Sequence, residues 1–312
     1  MPNLSAKANE GFKSILKREI KRAKRNKAAY AFIAPYFILF ACFTVLPVLM
    51  SIFYSFTDYN MLQTPNWVGF ANYIRLAVKD DVFITSIKNT FVFAVIVGPA
   101  GYIMSLLVAW FLNELSKPLR SIMVVIFYAP AISGNAYLVW KILFSSDSTG
   151  YINGILMRLS FINEPIHWLQ NPEYMLGVCI VVSLWMSLGT TFLSFVAGLQ
   201  GIDQALYEAG AMDGVRNRWQ ELWYITLPSM RPQLLFGSVM SITSALSVSD
   251  VSISLCGYPS VQYGAHTMVT HLLDYGNIRF EMGYASAIAT VLFFIMVGSS
   301  KLVNRFIRSI GT

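Results

Sequence analysis

Asp250 is the acidic side chain that falls inside the long apolar stretches of this sequence. It interrupts an otherwise uncharged segment, residues 233–255, among many hydroxyl groups: Ser244, Ser247, Ser249, Ser252 and Ser254. A carboxylate within a membrane is costly, so Asp250 faces a polar cavity or a partner charge, or it is hydrated at the outer end of a tilted helix. Both interpretations stay open. The hydroxyl groups are suited to bind a sugar, or to hydrogen-bond to their own backbone or a neighbouring span.

Sugar binding also uses aromatic rings, on which the faces of a pyranose stack. Trp and Tyr gather at membrane interfaces as well, and this is the favoured interpretation of Trp140. The predicted substrate pathway therefore combines Asp250, Ser247, Trp185, Tyr128 and Tyr258.

Motifs for enzymatic chemistry are missing from the sequence. It has no Gly-x-x-x-x-Gly-Lys-Ser/Thr phosphate loop and no His-Glu-x-x-His pair. We therefore predict no catalytic residue, no metal ligand and no cofactor bound by this chain. The three histidines, His167, His266 and His271, fall in predicted outer loops and are expected to lie at the surface.

Residues 207–232 form a charged segment between two long apolar stretches, so they must lie in water beside a membrane. Apolar residues from 202 to 212 follow helical spacing, with Asp203 as the N-cap and Gly214 as the end of the helix. A second helix begins after Asn217 and ends at Pro228, and one of its faces carries Trp219, Leu222, Trp223 and Thr226. Two tryptophans and a leucine on a water-facing segment predict a docking surface.

Composition places the whole chain in a membrane. With 55% hydrophobic and only 12% charged residues, and a mean hydropathy of +0.55, it cannot cover a soluble globule with polar surface. Stretches of about 20 apolar residues cross the hydrocarbon core. They predict an all-α fold with six transmembrane helices near residues 28–57, 89–113, 121–140, 174–202, 233–255 and 282–300. Pro99 and Pro130 are expected to kink or open the second and third helices.

Positive charge predicts the orientation. If the N-terminus is inside, 17 of the 23 Lys and Arg residues lie on the cytoplasmic side, where such charge is retained. This asymmetry explains the net charge of +7 by attraction to anionic lipid, without nucleic-acid binding. The expected organisation is a basic cytoplasmic tail (1–27), a membrane domain (28–306) that includes the cytoplasmic segment 202–232, and a cytoplasmic C-terminal tail (307–312).

The segment 202–232 resembles the coupling loop, or EAA motif, of ABC importer permeases. The matching positions are Glu208, Ala209, Asp213, Gly214, Ile225, Leu227 and Pro228. Gly210 replaces the last Ala of the motif, and one residue more than usual separates Gly214 from Ile225. The resemblance implies contact with a cytoplasmic ATPase through Glu208, Ala209, Gly210, Met212, Asp213, Gly214, Trp219, Leu222, Ile225 and Pro228.

Further stretches are similar to permeases of the carbohydrate branch of these importers, the group with the maltose and glycerol-phosphate systems. The similarity covers most of residues 30–306. It includes Pro47, Ser55-Phe56-Thr57-Asp58, Val68-Gly69, Asn72-Tyr73, Asp81, Phe83, Asn89-Thr90, Ala129-Pro130, Trp140-Lys141 and Gly283-Tyr284-Ala285-Ser286-Ala287. In a loop where the family usually has Gly-Gly-Pro, this chain has Gly257-Tyr258-Pro259, followed by Thr267, Tyr275 and Phe280.

The resemblance implies a type I ABC importer permease in the bacterial cytoplasmic membrane. Its implied partners are a sister permease in a heterodimer, two ATPase subunits that hold ATP and Mg, an external solute-binding protein and membrane lipid. The expected cargo is a carbohydrate, such as an oligosaccharide or polysaccharide fragment. Two alternatives stay open: an ABC permease for another solute, such as glycerol phosphate or an amino acid, and an ion-coupled secondary transporter or channel that uses Asp250.

Overall fold

The computed structural model describes residues 26–308 apart from Asn135 and Thr149. The predicted tails therefore lie outside the described part over residues 1–25 and 309–312. The chain consists of two compact units, and the boundary between them lies between residues 53 and 54. Within the described residues the chain is helical, and its extended pairing is limited to an isolated bridge between Thr57 and Trp67.

Helix α1, Lys27–Tyr54, contains a π-turn at Ala41–Val45. The other α-helices follow in chain order: α2 (Ala71–Val78), α3 (Asp81–Asn113), α4 (Lys117–Ile132), α5 (Ala136–Leu143), α6 (Tyr151–Arg158), α7 (Pro172–Met186), α8 (Thr190–Gln200), α9 (Gln204–Met212), α10 (Arg218–Glu221), α11 (Leu227–Ser229), α12 (Arg231–Leu246), α13 (Asp250–Cys256), α14 (Met268–Leu273) and α15 (Met282–Arg308). π-Turns also occupy Leu222–Thr226 and Asp274–Ile278, and a 3₁₀ turn occupies Val261–Tyr263.

Five stretches of the described chain are long and apolar enough to cross a membrane: α1, α3, α7 with α8, α12 with α13, and α15. The bent pair α4 and α5 makes a sixth when it is counted as one span. The predicted all-α, six-span architecture is confirmed. The second span begins well before residue 89, because the Asp80 side chain caps α3 by accepting a hydrogen bond from the backbone N–H of Phe83 at 2.9 Å.

Three spans are interrupted partway along their length. The breaks fall after Ile132, shortly after Pro130, and at residues 187–189 and 247–249. Local hydrogen bonds satisfy some of the backbone groups that each break releases. Ser187 donates its hydroxyl to the Leu184 carbonyl at 2.7 Å, and Thr267 donates to the Val248 carbonyl at 2.7 Å. Such non-helical backbone is tolerated at membrane depth only where protein or a water-filled cavity surrounds it.

One buried cluster joins the membrane spans to the segment 202–232. Phe192, Phe195 and Leu199 of α8 pack there with Trp110 and Leu112 of α3. Gly198 and Gly237 bring α8 and α12 close together; a Cβ at Gly237 would lie 2.8 Å from the Phe195 ring. Because lipid tails are as apolar as these side chains, close packing rather than exclusion of water stabilises the contact.

The expectation of three surface histidines is wrong for two of them. His167 is exposed, but His266 and His271 are only 1% exposed. They lie in the segment between the fifth and sixth spans, which folds back onto the beginnings of α3 and α15. The sequence marked this segment as a polar loop, and nothing local in it reveals that partners far along the chain bury both imidazoles.

Candidate functional site

The segment 202–232 folds as a helical hairpin, called here the coupling hairpin. Asp203 caps α9 by accepting from the Ala205 N–H at 3.0 Å, and α9 ends before Gly214, whose φ of +94° favours glycine. Asn217 caps α10 by accepting from the Gln220 N–H at 2.8 Å. All three positions match the expectation from sequence.

Two contacts hold the arms of the coupling hairpin together. The hydroxyl groups of Tyr207 and Thr226 are hydrogen-bonded at 3.0 Å. The Ile225 side chain lies against Gly210, so closely that a Cβ at Gly210 would collide with it. Gly210 replaces the last Ala of the EAA pattern, and this departure has a local consequence. Because Gly210 has no methyl group, the Ile225 side chain has room to pack against it in this conformation.

The base of the coupling hairpin is anchored in the membrane-spanning part. Leu222 and Leu227 are buried in the cluster that contains Trp110 and Phe195. Arg218 forms ion pairs at 2.7 Å with Glu221 on its own helix and with Glu114 after α3. These exposed ion pairs contribute at most about 1 kcal/mol each, so the buried leucines dominate the anchoring.

The tip of the coupling hairpin leaves a large apolar surface uncovered. Met212 is 89% exposed and Tyr224 73%, although both are side chains that normally avoid water. Trp219 contacts the Trp110 ring at 5.2 Å and still exposes more than half of its surface. Glu208, Ala209 and Asp213 are exposed on the same hairpin, while Ile225 and Pro228 are half-buried. Exposed apolar area of this kind marks an interaction surface.

A second feature is a cavity of about 370 Å³ at the three breaks in the spans. Its lining includes Ala131, Ser187, Gly189 and Thr190 from the third and fourth spans. The polar residues in its lining include Tyr128, Tyr137, Ser183, Ser244, Ser247, Ser249 and Asp250. Phe93, Val97 and Met186 add apolar contacts. The hydroxyl of Ser183 has no hydrogen-bond partner among the described residues.

The structure brings together three of the five residues expected on a substrate pathway. Tyr128, Ser247 and Asp250 all line this cavity. Trp185 instead packs edge-on against Trp140 at 5.4 Å, outside the lining. Tyr258 lies in the segment between the fifth and sixth spans and donates its hydroxyl to the Thr270 carbonyl at 3.0 Å. Sequence reasoning had not singled out Tyr137 or Ser183 as candidates for this lining.

Metal chemistry finds no support in the described chain. Among residues 26–308, apart from Asn135 and Thr149, no group of three or more His, Cys, Asp or Glu side chains is placed to hold a metal ion. What the site offers is hydroxyl groups, one carboxylate and aromatic rings for a ligand, together with a mechanical contact surface.

Comparison with known proteins identifies the family to which this chain belongs. Residues 98–310 match the family described as "Binding-protein-dependent transport system inner membrane component". The chain belongs to this family. Its membrane spans, cavity and hairpin are therefore those of a permease component of a binding-protein-dependent transport system.

Named relatives cover most of the permease. The chain is 35% identical over 292 residues to the "Probable ABC transporter permease protein YesP" of Bacillus subtilis, covering 92% of each chain. It is 28% identical to the arabinooligosaccharides transport system permease protein AraP of Bacillus subtilis, over 88% of this chain and 86% of that one. Identity to the lactose transport system permease protein LacF of Rhizobium radiobacter is 31%, over 71% and 73%.

A solved structure shares the fold of this permease. It is a chain from the crystal structure of a bacterial ABC transporter involved in the import of the acidic polysaccharide alginate. The TM-score is 0.74 at 27% sequence identity, covering 95% of this chain and all of that one. A related structure, with TM-score 0.73, contains an alginate pentasaccharide-bound periplasmic protein.

The contact between Gly210 and Ile225 gives a first prediction. Gly210→Leu should push the two arms of the hairpin apart, because overpacking costs about 1–3 kcal/mol, and should lower transport by the assembled transporter roughly tenfold. Adding Ile225→Ala should restore most of the transport. Uptake into vesicles measures both.

Ala205→Leu is the matched control, because Ala205 is exposed at the beginning of the same helix and is not among the predicted ATPase contacts. Full transport by Gly210→Leu, or a double variant no better than the single one, would show that this contact does not shape the hairpin.

Proposed function

We propose that this chain is a permease subunit of an ATP-driven importer for a carbohydrate, an oligosaccharide or polysaccharide fragment. It crosses the bacterial cytoplasmic membrane with both termini inside and pairs with a sister permease. Two ATPase subunits bind ATP and Mg²⁺, and an external solute-binding protein delivers the sugar. The chain itself transports and does not catalyse.

The observation that carries the proposal is the hydroxyl-rich cavity at the broken spans. A sugar presents hydroxyl groups that both donate and accept, and the lining offers Tyr, Ser and Thr hydroxyls of the same kind beside the Asp250 carboxylate. The unpartnered Ser183 hydroxyl is suited to bond such a ligand. Phe93 and Met186 supply apolar contact for the faces of the rings. The named arabinooligosaccharide, lactose and alginate systems support the same substrate class.

The distribution of charge supports the orientation. The basic residues gather before α1, at the beginning of α4, in the coupling hairpin and at the end of α15, as the positive-inside rule requires if these segments are cytoplasmic. The apolar tip of the hairpin, with Met212 and Tyr224, then faces the cytoplasm. A cytoplasmic ATPase is the partner that would cover it.

Two closely packed helices connect the coupling hairpin directly to the cavity. Helix α8 begins at the cavity and leads into the hairpin, and α12 leaves the hairpin and ends at the cavity. Their lengths of 11 and 16 residues correspond to roughly 16 and 24 Å of rise. Movement of the hairpin on ATPase closure would therefore displace both helices and reshape the cavity, with the breaks at 187–189 and 247–249 as hinges.

Uptake into vesicles containing the whole transporter tests the proposal. The vesicles receive a mixture of neutral and acidic oligosaccharides, glycerol 3-phosphate and amino acids, and mass spectrometry identifies what accumulates. We expect at least one oligosaccharide to accumulate, and only when ATP and Mg²⁺ are present on the cytoplasmic side. Accumulation of glycerol 3-phosphate or an amino acid alone, or accumulation driven by an ion gradient without ATP, would contradict it.

Asp250 provides a second prediction at the cavity. Asp250→Asn keeps the shape but removes the charge, and a hydrogen bond to a charged group contributes about 1.5–3 kcal/mol. Sugar uptake should fall roughly tenfold while assembly with the ATPase subunits is unchanged. Asp147→Asn, which alters an exposed carboxylate in an outer loop, serves as the control. Unaltered uptake by Asp250→Asn would remove Asp250 from the pathway.

A further inference from the structure

A buried polar cluster ties three distant parts of the chain together on the outer side. The Asp80 carboxylate, at the beginning of α3, accepts hydrogen bonds from the Tyr284 hydroxyl of α15 at 2.6 Å and from the Nε2 of His271 in α14 at 2.9 Å. The Nδ1 of His271 is in turn 3.2 Å from the Nε2 of His266. These four residues, Asp80, His266, His271 and Tyr284, are called the clasp here.

The clasp fixes the protons on both imidazoles. A carboxylate only accepts, so the Nε2 of His271 carries a proton and donates to Asp80. The Nδ1 of a neutral His271 is then an acceptor, and the Nε2 of His266 donates to it. If both rings were protonated, two N–H groups and two positive charges would face each other in a site where the imidazoles are 1% exposed.

The charged groups packed around His266 and His271 do not stabilise a positive charge on the two imidazoles. Asp274 is paired with Arg279 at 2.7 Å, and Arg75 is paired with Glu281. The two guanidinium groups also lie over aromatic rings, Arg279 over Tyr275 at 4.3 Å and Arg75 over Tyr284 at 4.1 Å. Besides Asp80, the environment therefore holds carboxylates that are already neutralised by cations.

The titration of the clasp follows from this arrangement. Burial, followed by repulsion from a protonated His271, lowers the pKa of His266 to about 4. Burial also lowers the pKa of His271 and outweighs the hydrogen bond that His271 donates to Asp80, which raises it. For Asp80 itself burial raises the pKa, but the hydrogen bonds from Tyr284, Phe83 and His271 together leave it below its ordinary value. The stable form is thus an ionised Asp80 with two neutral histidines.

We propose that the clasp positions the outer segment 257–281 for contact with the solute-binding protein, and that acid outside the cell opens the clasp and weakens this contact. The proposal rests on the proposed function, which supplies that partner. Asp80 and His271 act as positioning residues, because they hold the segment rather than touch the substrate.

The sign of the pH effect follows from the two states. The closed clasp keeps its histidines neutral, whereas in an open clasp they face water and titrate near the ordinary value of about 6.5. Closure is therefore fully favoured above pH 6.5. It weakens as the pH falls toward 4, since only the open state takes up protons in that window.

Other attachments of the segment do not titrate in this range. The side-chain amide of Asn89 donates to the carbonyls of Tyr263, Gly264 and His266 at 2.9–3.2 Å. The Thr90 hydroxyl accepts from the backbone N–H of Met268 at 2.9 Å. Acid should accordingly shift the segment without releasing it, so that docking is affected rather than folding.

The test is binding of the fluorescently labelled solute-binding protein to vesicles that contain the whole transporter, with the interior held at pH 7.5. Between external pH 7.5 and 5.0 the half-saturating concentration should rise at least roughly threefold for the unaltered transporter. His271→Gln should reduce this rise and keep the affinity at pH 7.5, because its amide can donate to Asp80 and accept from His266 without titrating. The double variant His266→Gln/His271→Gln should abolish the rise.

His167→Gln is the matched control, since His167 is an exposed histidine in another outer loop, and it should retain the full pH dependence. His266→Gln is the second variant in case His271→Gln fails to assemble. A flat profile for the unaltered transporter, or an unchanged profile in the Gln variants, overturns the clasp. Absence of binding at pH 7.5 in every transporter would instead overturn the proposed function.

Discussion

A backbone amide inside hydrocarbon has no water to bond, so an interrupted helix must hide its interruption within protein or against a polar space. This constraint organises the whole permease. The breaks in the fourth and fifth spans contribute residues to the same cavity, which Ala131 and Tyr137 on either side of the third-span break also line. Hydroxyl groups such as those of Ser187 and Thr267 bond some of the carbonyls near the breaks. The cavity is therefore the place where irregular backbone, polar side chains and Asp250 are jointly tolerated. A polar ligand therefore binds in a cavity that the broken helices already require.

The same breaks divide the fourth and fifth spans into a part near the segment 257–281 and a part that is continuous with the coupling hairpin. Helices α8 and α12 belong to the second part, and they pack closely through Gly198 and Gly237. The base of the hairpin shares their buried cluster through Leu222 and Leu227. Packed interiors of this kind have discrete arrangements rather than continuous ones, so a push at the hairpin tends to move both helices as one body. Sugar release and ATP consumption are coupled in this account by packing alone.

Short-range sequence patterns predicted the elements whose formation depends on residues that are close together in the chain. Uncharged length predicted the six spans, and the side chains of Asp203 and Asn217, with the freedom of Gly214, predicted both helices of the hairpin. Tyr128, Ser247 and Asp250 were chosen for their chemistry and do meet at one cavity. The breaks at 187–189 and 247–249 were not predicted, since small residues there fit simple packing equally well. The burial of His266 and His271 was missed because it depends on Asp80, which lies 191 residues before His271; no periodicity or composition records such a pairing.

The central claim is that ATPase closure reaches the cavity through the coupling hairpin, and labelling of a cavity residue tests it most directly. Ser247→Cys, in a background with Cys42→Ser, is labelled from outside by a water-soluble maleimide in the assembled transporter. Trapping the ATPase subunits closed with ATP and vanadate should raise the labelling rate at Ser247→Cys. Adding Asp213→Lys at the hairpin should abolish the rise. An equal rate in the free and trapped states, or a rise that survives Asp213→Lys, would contradict this account.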